Sequence, residues 1–397
     1  MITGGATCLV LKKHYIYVII PRLKNDPMNF NLGVVGAGSF SMFSVAAFLQ
    51  NKEISVAGVF DVDPNRAGDF ASRYNSRIFG SLDELLGDRE VNLVYISTPP
   101  NLHYEQCKMA LEAGKHVICE KPAALEPMHA EELFETAEKK GLLYVVNLMQ
   151  RYNPLYQKVA KLIQSRLLGD FLHGYFENYA SDEALHPGHW MWDPAISGGI
   201  FIEHAVHFFD MFEGWLGKGT VISSQKVKRP AIGQTIYSRV QSVGSYAGGL
   251  VNMYHGFDQP KKMDRQELRL LFERGEVTLQ EWVPVRMNVT GLITNDEEQT
   301  WKDLFPGAIM EVLEKFDGKD RVFRGNFKEY HIDKMIRLEY GKDARKEDIY
   351  KVILREMIAD QVKWIGDRSH KRVITGMNGV NSLKMAREAE RKALIID

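Results

Sequence analysis

Four residues that can exchange protons or bind a metal ion lie close together in the segment ISGGIFIEHAVHFFD, residues 196–210. They are Glu203, His204, His207 and Asp210. Histidine suits general acid–base work because its pKa lies near neutrality, and a carboxylate four positions away would lie on the same side of a helix. The residues by themselves leave three interpretations open: a metal site, a catalytic pair, or the solvated face of an ordinary helix.

Apolar residues at helical spacing predict that this segment is a helix from about residue 200, opened by the glycine pair before it. One face carries the apolar residues Phe201, Ala205, Phe208, Phe209, Phe212, Trp215 and Leu216. The opposite face carries Glu203, His207, Asp210 and Gly214. We expect this polar face to meet solvent or to form a site. The structural alternative is that Glu203, in the first turn, complements the helix dipole.

A metal site would need at least three ligands from one group of residues: Glu203, His204, His207, His186 and His189. His204 lies off the stripe shared by Glu203 and His207, so the ligand face of an HExxH motif is absent. We therefore expect no metal ion. The segment HPGHW (186–190) is typical of a loop over the site. Three residues of this loop and one that follows it are candidate substrate contacts: His186, His189, Trp190 and Asp193. The alternative is that these side chains only pack the loop.

A glycine-rich turn, GVVGAGSFS (33–41), follows an apolar run and precedes a segment with helical spacing. Gly36 permits a tight turn, and Gly38 lets the backbone approach a pyrophosphate at the helix N-terminus, at Ser39 and Phe40. Ser41 replaces the third glycine of the dinucleotide-binding fingerprint. The motif predicts a dinucleotide site, and a plain turn is the alternative.

Asp61 ends the next predicted strand, 23 positions after Gly38. This is close to the spacing at which an acid receives the ribose hydroxyls of a dinucleotide. A carboxylate there accepts a hydrogen bond from the 2′-hydroxyl and repels a 2′-phosphate, so it favours NAD over NADP. Arg66 is near enough in sequence to complicate this preference. The alternative is that Asp61 only caps the following helix.

The scaffold for these residues is predicted in two parts, and the first part alternates strands with helices. Apolar runs predict strands at 30–36, 54–61, 91–97, 115–120 and 142–148. Helical spacing predicts helices at 41–51, 64–74, 103–113 and 127–140. This alternation predicts βαβ units and a doubly wound parallel sheet, in which ligands bind at the carboxyl ends of the strands.

After residue 150 the pattern changes to consecutive strands. A helix is predicted at 154–167, then strands at 171–180, 221–229, 235–246, 249–257, 266–275 and 276–282, then helices at 347–365 and 379–392. Strands without intervening helices predict an antiparallel sheet. We therefore predict an α/β protein with a Rossmann domain over 28–150 and an α+β domain over 151–397. Residues 1–27 are predicted to be an extension that is disordered or not native.

Composition argues against several classes of function. The 397 residues include 50 basic and 51 acidic side chains, so there is no basic excess to bind nucleic acid. No apolar run approaches the roughly 18 residues that a membrane span needs. The three cysteines, Cys8, Cys107 and Cys119, show no pairing pattern, which favours a reducing, cytoplasmic setting.

Several motifs in this order resemble the glucose–fructose oxidoreductase/inositol dehydrogenase (Gfo/Idh/MocA) family. They are ISTPPNLHYE (96–105), AGKHVICEKPAAL (113–125), NLMQRYNP (147–154) and WDPAISGGIFIEHAVHFFD (192–210). The most recognisable of them is the tripeptide Glu120-Lys121-Pro122. The resemblance extends from about Asn29 to the C-terminus, where GVNSLKMAREAERKAL is similar to the closing helix of the family.

This resemblance implies a Rossmann domain followed by a domain with an open, mostly antiparallel sheet. It implies reversible oxidation of a hydroxyl on a sugar, cyclitol or related polyol with a nicotinamide cofactor. It also implies homodimers or homotetramers that associate through the sheets. Two alternatives stay open within the family: a sugar-processing enzyme, such as a glycosidase, that retains and recycles its NAD, and a sugar- or nucleotide-sensing regulator.

The resemblance also assigns residues to the cofactor and to the reaction. The residues implied to lie along the cofactor are Thr98, Pro99, Asn101 and His103, with Glu120 and Lys121 near the nicotinamide. The catalytic acid and histidine of the family fall on Glu203 and His207. The family usually has aspartate at the first of these positions, so the carboxylate of Glu203 stands one methylene further out.

Two further groups of residues are expected near the site. Lys121 ends a predicted strand, where a charged lysine can orient a hydroxyl and stabilise its alkoxide. Arg151, Tyr152 and Asn153 begin the second predicted domain, and we expect them at the cleft, with Arg151 and Tyr152 as substrate contacts. Arg151 could equally hold the domain junction through a salt bridge.

Overall fold

The computed structural model describes residues 11–12, 15–16, 29–182, 184–231, 234–341 and 344–397. Within the predicted extension, residues 1–27, the described part is a short antiparallel pair of strands, Leu11–Lys12 and Tyr15–Ile16. The remainder of that prediction lies outside the described residues.

A parallel sheet of six strands forms the first half of the fold. Its strands are β1 (Phe30–Val35), β2 (Ile54–Phe60), β3 (Arg77–Ile78), β4 (Leu93–Ile96), β5 (His116–Cys119) and β6 (Tyr144–Val146). The helices that connect them are α1 (Ser39–Phe48), α2 (Pro64–Tyr74), α3 (Leu82–Gly87), α4 (His103–Glu112) and α5 (Pro127–Lys140). The order β3-β2-β1-β4-β5-β6 reverses between β1 and β4, which confirms the predicted doubly wound sheet.

A mixed, mostly antiparallel sheet of ten strands forms the second half, after α6 (Pro154–Ser165). Its strands in chain order are β7 (Phe171–Ala180), β8 (Thr220–Ala231), β9 (Gln234–Tyr246), β10 (Gly249–Phe257), β11 (Arg265–Phe272), β12 (Gly275–Gln280), β13 (Arg286–Ile293), β14 (Ile309–Lys315), β17 (Lys334–Tyr340) and β18 (Ala393–Ile396), with a separate hairpin of β15 (Val322–Gly325) and β16 (Lys328–His331). Across the sheet the order is β14-β17-β13-β12-β11-β7-β10-β9-β8-β18. The second predicted sheet is therefore confirmed, with parallel pairs at β7–β10 and β8–β18.

Alternation along the central strands gives this sheet one covered face. Phe176 of β7 pairs in register with Met253 and Leu268 on its two neighbours, and all three are buried. The ring of Phe176 stacks on Phe208, with ring centres 3.5 Å apart. Residues of the opposite parity, such as Tyr175, are only partly buried. The covered face therefore packs against the helix that carries Phe208, as a period-two strand pattern requires.

The segment that carries the candidate catalytic residues folds as two kinds of helix. After α7 (Pro194–Ser197) come Gly198 and Gly199, both with positive φ. A π-helical turn then covers Phe201–Ala205 and leads into α8 (Val206–Leu216). The predicted helix from about residue 200 is thus present, but its first turn is wider than an α-helix. Turns of this kind occur frequently at functional sites.

The predicted polar face of this helix is divided between two environments. Glu203 and His207 line a cavity, whereas Asp210 is buried and accepts hydrogen bonds from Arg151. The predicted polar face is therefore not one continuous site. Its first part lines the cavity, and at Asp210 it forms a buried ion pair with Arg151.

Two C-terminal helices hold the sheets together. They are α10 (Lys346–Gly366) and α11 (Gly376–Lys392). A Cβ added at Gly379 of α11 would stand 2.4 Å from Val146 of β6, so the helix backbone lies directly against the first sheet. The same helix also contacts α8 and β8 of the second half. Among the described residues, no helix is both long enough and apolar enough to cross a membrane.

Candidate active site

A cavity of about 580 Å³ lies where the two halves of the fold meet. The carboxyl ends of three parallel strands reach it: Thr98 follows β4, Glu120 and Lys121 follow β5, and Asn147 follows β6. The opposite wall includes residues of the π-turn and of α8, namely Glu203, His204 and His207. The cavity therefore joins the strand ends, where doubly wound sheets bind ligands, to the segment with the candidate acid–base residues.

Lys121 and Glu203 form an ion pair across this cavity. The Lys121 Nζ contacts Glu203 Oε1 and also donates to the Glu203 carbonyl oxygen at 2.8 Å. Their side chains are 19% and 12% exposed, respectively. The longer side chain of glutamate thus brings the carboxylate into contact with the lysine. The charged lysine is fixed at the mouth of the strands, where it can also meet a substrate oxygen.

His207 is the group best suited to accept a proton. It is 4% exposed, and its Nδ1 atom is buried without a hydrogen-bond partner in the described structure. Burial, reinforced by the charge of Lys121, holds the pKa of His207 well below its ordinary value. Burial therefore favours the neutral imidazole, the form in which a histidine can accept a proton.

His204, which follows Glu203 in the chain, is in contact with a second histidine. Its Nδ1 lies 3.0 Å from Nδ1 of His255 on β10, and both rings are buried. Burial lowers the pKa of His255 to about 3 and holds that of His204 well below its usual range. One neutral ring must therefore donate to the other. This pair fixes the π-turn to the sheet.

Glu120 is a buried carboxyl group in a polar network. Tyr95 Oη donates to Glu120 Oε1 at 2.6 Å, and Asn147 Nδ2 donates to the same oxygen at 2.7 Å. Burial raises the pKa of Glu120, and these two donors oppose the shift. The network holds the strand ends in place around Lys121.

The glycine turn has the shape that a pyrophosphate needs. Gly36 has φ +92°, and a Cβ there would lie 2.7 Å from the Ser97 carbonyl oxygen. No atom lies within 4 Å of a Cβ added at Gly38. No side chain caps α1, whose first residues are Ser39 and Phe40. Open space above Gly38 and an uncapped helix N-terminus fit an anion, so these residues can hold the diphosphate of a dinucleotide.

Asp61 lies beside this turn at the end of β2. Its Oδ2 accepts a hydrogen bond from the Ala37 backbone N at 2.6 Å, and its Oδ1 accepts one from the Asp63 N at 2.8 Å. Arg66 extends from α2 and pairs with Asp63 at 3.5 Å, with 63% of its side chain exposed. The carboxylate therefore stands closest to the turn, and the arginine stands outside it.

Two family models match the chain on both sides of the cavity. Residues 30–148 match a model described as an oxidoreductase family with an NAD-binding Rossmann fold. Residues 156–278 match the C-terminal domain model of the same family. Together they cover more than half of the 397 residues. The chain belongs to the Gfo/Idh/MocA family. The resemblance inferred from the motifs is thereby confirmed.

Curated relatives in this family match part of the chain. An uncharacterised oxidoreductase of Schizosaccharomyces pombe is 36% identical over 138 residues, which cover 34% of this chain and 37% of the relative. The D-xylose 1-dehydrogenase (NADP(+)) of Hypocrea jecorina is 32% identical over 202 residues, 46% of this chain and 52% of the relative. The chain thus matches about half or less of the length of each of these relatives.

Solved structures resemble the chain over nearly its whole length. Levoglucosan dehydrogenase, in complex with NADH and levoglucosan, superposes with a TM-score of 0.73 at 17% identity and covers 92% of this chain and 97% of its own. The WlbA dehydrogenase of Bordetella pertussis, in complex with NADH and UDP-GlcNAcA, gives 0.72 at 16% identity, with 92% and 95% covered. At these identities the likeness to family structures shows the fold.

The structure brings some of the predicted site residues to the cavity. Those that line it are Phe40, Thr98, Glu120, Lys121, Trp190, Glu203 and His207. Among the described residues, no group of three or more histidine, cysteine or acidic side chains is arranged to hold a metal ion. The family motifs place their polar residues at strand ends and in one helix. Sequence alone can therefore locate these cavity-lining residues.

Other predicted residues support the wall from behind. His103 is buried with its ring nitrogens 2.7 Å from the Pro122 carbonyl and 2.8 Å from that of Thr98, so it links the loops after β4 and β5. Pro99 and Asn101 precede α4 beside it, and Asn101 is exposed. His189 and Asp193 cap the short helical turns around Trp190 by accepting from backbone N–H groups.

The residues predicted at the start of the second domain lie away from the cavity. Arg151 pairs with Asp210 at 2.8 Å, the salt-bridge alternative raised for this arginine. Tyr152 Oη donates to Asp360 of α10 at 2.6 Å, and Asn153 caps α6. These side chains hold α6, α8 and α10 together. None of the three lines the cavity, and the role of Arg151 and Tyr152 as substrate contacts stays a prediction.

Several cavity residues come from segments that no motif marks. Trp282 approaches His207, with ring centres 6.0 Å apart, and contacts Tyr350 of α10 at 5.4 Å. The other residues of this kind include Asp182, Asp264, Gln266, Glu281 and Lys346. Asn147 and Met149 fall within the quoted motif NLMQRYNP, and the strand-end rule would have found Asn147. The rest reach the cavity through long-range folding.

Proposed function

We propose that the protein is an NAD-dependent oxidoreductase that acts on a hydroxyl or carbonyl carbon of a sugar, cyclitol or related polyol. One observation carries the proposal: Lys121, Glu203 and His207 converge on a single cavity at the carboxyl ends of the parallel strands. Oxidation of an alcohol needs a base for the hydroxyl proton and a positive charge near its oxygen. Neutral His207 and cationic Lys121 can supply these two functions. Family membership supports the same reaction class.

In this proposal each residue has a separate task. The neutral imidazole of His207 accepts the hydroxyl proton of the substrate. The Lys121 ammonium orients that oxygen and stabilises its negative charge as the proton leaves. Glu203 holds Lys121 in place through the ion pair. When bound, the nicotinamide supplies the hydride acceptor, or the donor in the reverse direction.

The proposed dinucleotide lies along the first sheet, held by residues of this chain. The turn at Gly36 and Gly38 and the N-terminus of α1 would hold the diphosphate. Asp61 would accept hydrogen bonds from the adenosine ribose and disfavour a 2′-phosphate, so we propose NAD as the preferred cofactor. Thr98 and Glu120 would lie towards the nicotinamide, as the resemblance implies.

The association state and the compartment are also proposals. We expect homodimers or homotetramers through the exposed face of the ten-stranded sheet. Cys107 and Cys119 are buried and free, which suits a reducing compartment such as the cytoplasm. We propose that residues 28–150 bind the dinucleotide and that residues 151–397 bind substrate and the partner subunit.

The reaction is tested with Lys121→Met and His207→Asn. Each variant is assayed for nicotinamide reduction against a panel of polyols and aldoses, together with NAD binding by calorimetry. Loss of a general acid–base group typically costs a factor of roughly 10²–10⁴ in rate. We expect a fall of that size in kcat for both variants, with NAD affinity within about threefold of the parent protein.

The matched control is Lys108→Met. Lys108 forms an ion pair of the same type with Glu132 on the surface, away from the cavity. We expect this variant to retain the activity of the parent protein. If Lys121→Met or His207→Asn kept full activity, the catalytic assignment would be wrong.

A further inference from the structure

We infer that the substrate is an unphosphorylated sugar or polyol and that sugar phosphates and sugar nucleotides are poor substrates. The inference rests on the proposed function and names the substrate class for the same cavity. Within it, Asp182 and Asp264 are the groups that accept hydrogen bonds from hydroxyls remote from the reacting carbon.

The first argument is the state of the cations in the cavity wall. Among the described lining residues, the lysines are Lys121 and Lys346, with no arginine. Lys121 is paired with Glu203, and Lys346 Nζ lies 2.9 Å from Glu281 Oε2. Each positive charge is therefore already matched by a carboxylate of the protein. A phosphate would have to displace one of these carboxylates to gain a cationic partner.

The histidines of the wall add no positive charge. Burial holds the pKa values of His204 and His207 well below their ordinary range, with a further contribution to both from Lys121. Both rings are neutral at physiological pH. A dianionic ligand would therefore find no compensating charge among them.

The second argument is the set of further carboxylates in the cavity wall. Besides the partners of the two lysines, Asp182, Asp264 and Glu120 line the cavity. Asp264 is exposed and accepts the Ser181 backbone N at Oδ1, at 2.6 Å. Ionised carboxylates accept several hydrogen bonds, so hydroxyl groups of a sugar can be added to those already made. Phosphate oxygens are also acceptors, and they would be repelled.

Arg229 is a cation beside the cavity, and its contacts do not alter this balance. It lines an adjoining depression together with Asp182 and Trp192. Its guanidinium donates to the Phe257 carbonyl at 3.3 Å and pairs with Asp182 Oδ2 at 3.4 Å. The arginine is thus associated with a carboxylate, as the two lysines are. Phosphate sites typically present the fork of an arginine to the ligand directly.

The third argument is the aromatic surface of the wall. Trp190, Trp192 and Trp282 line the cavity. Aromatic faces provide broad apolar contact area, which suits the C–H faces of a sugar ring. Solved proteins of this fold hold both levoglucosan and UDP-GlcNAcA, so the fold by itself admits either class. The lining side chains of each protein must make the choice.

The experiment uses matched substrate pairs with the full-length protein and NAD. Glucose, xylose and myo-inositol are each compared with a phosphate ester, and glucose also with UDP-glucose, by initial rates of NADH formation. We expect kcat/KM for an unphosphorylated substrate to exceed that of its phosphorylated counterpart at least 100-fold. A higher kcat/KM for any phosphate ester or for UDP-glucose would overturn the inference and leave the dehydrogenase proposal intact.

Two variants test the charge argument directly. Asp264→Lys places a cation at an exposed position of the cavity wall and is expected to narrow the preference for the unphosphorylated substrate at least tenfold. Asp303→Lys makes the same change on α9 (Glu298–Leu304), at an exposed residue outside the cavity wall, and is expected to leave the preference unchanged. Equal ratios in the two variants would contradict a role for Asp264.

Absence of turnover with the whole panel would count against the proposed function. The charge inference is then decided by binding, from the tryptophan fluorescence of the NAD-saturated protein titrated with glucose, glucose 6-phosphate and UDP-glucose. Tighter binding of glucose than of either phosphorylated ligand supports it. Equal or tighter binding of a phosphorylated ligand, or no response to any of the three, overturns it.

Discussion

At the scale of single residues, Glu203 connects the two walls of the site. Its carboxylate is in contact with Lys121, a residue of the other half of the fold. Removing one partner of a largely buried pair leaves an uncompensated charge, which typically costs about 3–5 kcal/mol. The ion pair thus serves two purposes, because it positions the lysine for substrate and connects the two walls of the cavity.

The proposed preference for NAD also rests on a single residue, Asp61. In Asp61→Ser the carboxylate that opposes a 2′-phosphate is lost, and Arg66 remains nearby on α2. We expect kcat/KM for NADP, relative to NAD, to rise at least tenfold. Steady-state rates with both cofactors at a fixed substrate concentration measure this ratio. Asp69→Ser, on an exposed turn of the same helix, serves as the control and should leave the ratio unchanged.

An unchanged ratio in Asp61→Ser would show that the carboxylate serves only the backbone of the turn. Its hydrogen bonds to Ala37 and Asp63 make this outcome measurable, because their loss would lower stability without changing cofactor choice. Thermal unfolding of the variant distinguishes the two effects.

Sequence alone could predict only part of the candidate site. Lys121, Glu203 and His207 belong to motifs in which chemistry follows from a strand end or a helical spacing. Trp282 and Lys346 belong to no such motif, and they reach the cavity from distant parts of the chain. Their positions depend on how the two halves of the fold pack together, and local residue patterns do not encode that packing.

At the scale of elements, the π-turn at Phe201–Ala205 determines what the catalytic segment presents. The wider turn places Glu203 and His204 in the cavity wall together with His207. Adjacent residues of a regular α-helix differ by about 100° in direction, so a regular first turn would point the side chains of Glu203 and His204 further apart. The pairing of His204 with His255 on β10 anchors this turn to the sheet.

The histidine pair predicts a pH dependence of stability. The pKa of His255 is about 3 in the folded protein and near 6.5 when unfolded, so the unfolded chain binds the extra proton as pH falls. This proton linkage leaves the free energy of unfolding unchanged above about pH 6.5 and lowers it as the pH falls from there towards 3. For one proton the slope is about 1.4 kcal/mol per pH unit, hence roughly 2 kcal/mol between pH 6.5 and 5.

His255→Leu removes this proton linkage. We expect its free energy of unfolding, measured with urea at pH 7, 6 and 5, to fall by roughly 2 kcal/mol less than that of the parent protein over this interval. His331→Leu changes an exposed histidine on β16 and should follow the parent curve. Parallel curves for His255→Leu and the parent protein would contradict a buried neutral His255.

The elements themselves were predicted unequally. Strands with a clear period of two were placed within a few residues, and β7 and β10 match their predicted limits, 171–180 and 249–257. The sequence pattern predicts no element within 283–346, a stretch that forms β13 to β17 and α9. Edge strands there are short and exposed on both faces, as in β14, so their hydrophobic pattern is weak.

At the scale of the whole molecule, the ten-stranded sheet has a second face that the described helices leave open. Leu250, His173 and Leu271 form one row in register across β10, β7 and β11, and both leucines are about 40% exposed. Tyr175 and Tyr254 lie in the neighbouring rows of the same face. A broad surface with leucine and tyrosine suits a subunit interface better than contact with water.

This face predicts self-association that one charge can weaken. A C2 contact repeats each residue, so Leu271→Arg would place two like charges in one interface. We expect the parent protein to be a dimer or tetramer at micromolar concentration by light scattering, and Leu271→Arg to dissociate at least tenfold more readily with an unchanged circular dichroism spectrum. Met128→Arg, at an exposed methionine on α5, should behave like the parent protein. A monomeric parent protein, or equal assembly of both variants, would show that this row is not part of a subunit contact.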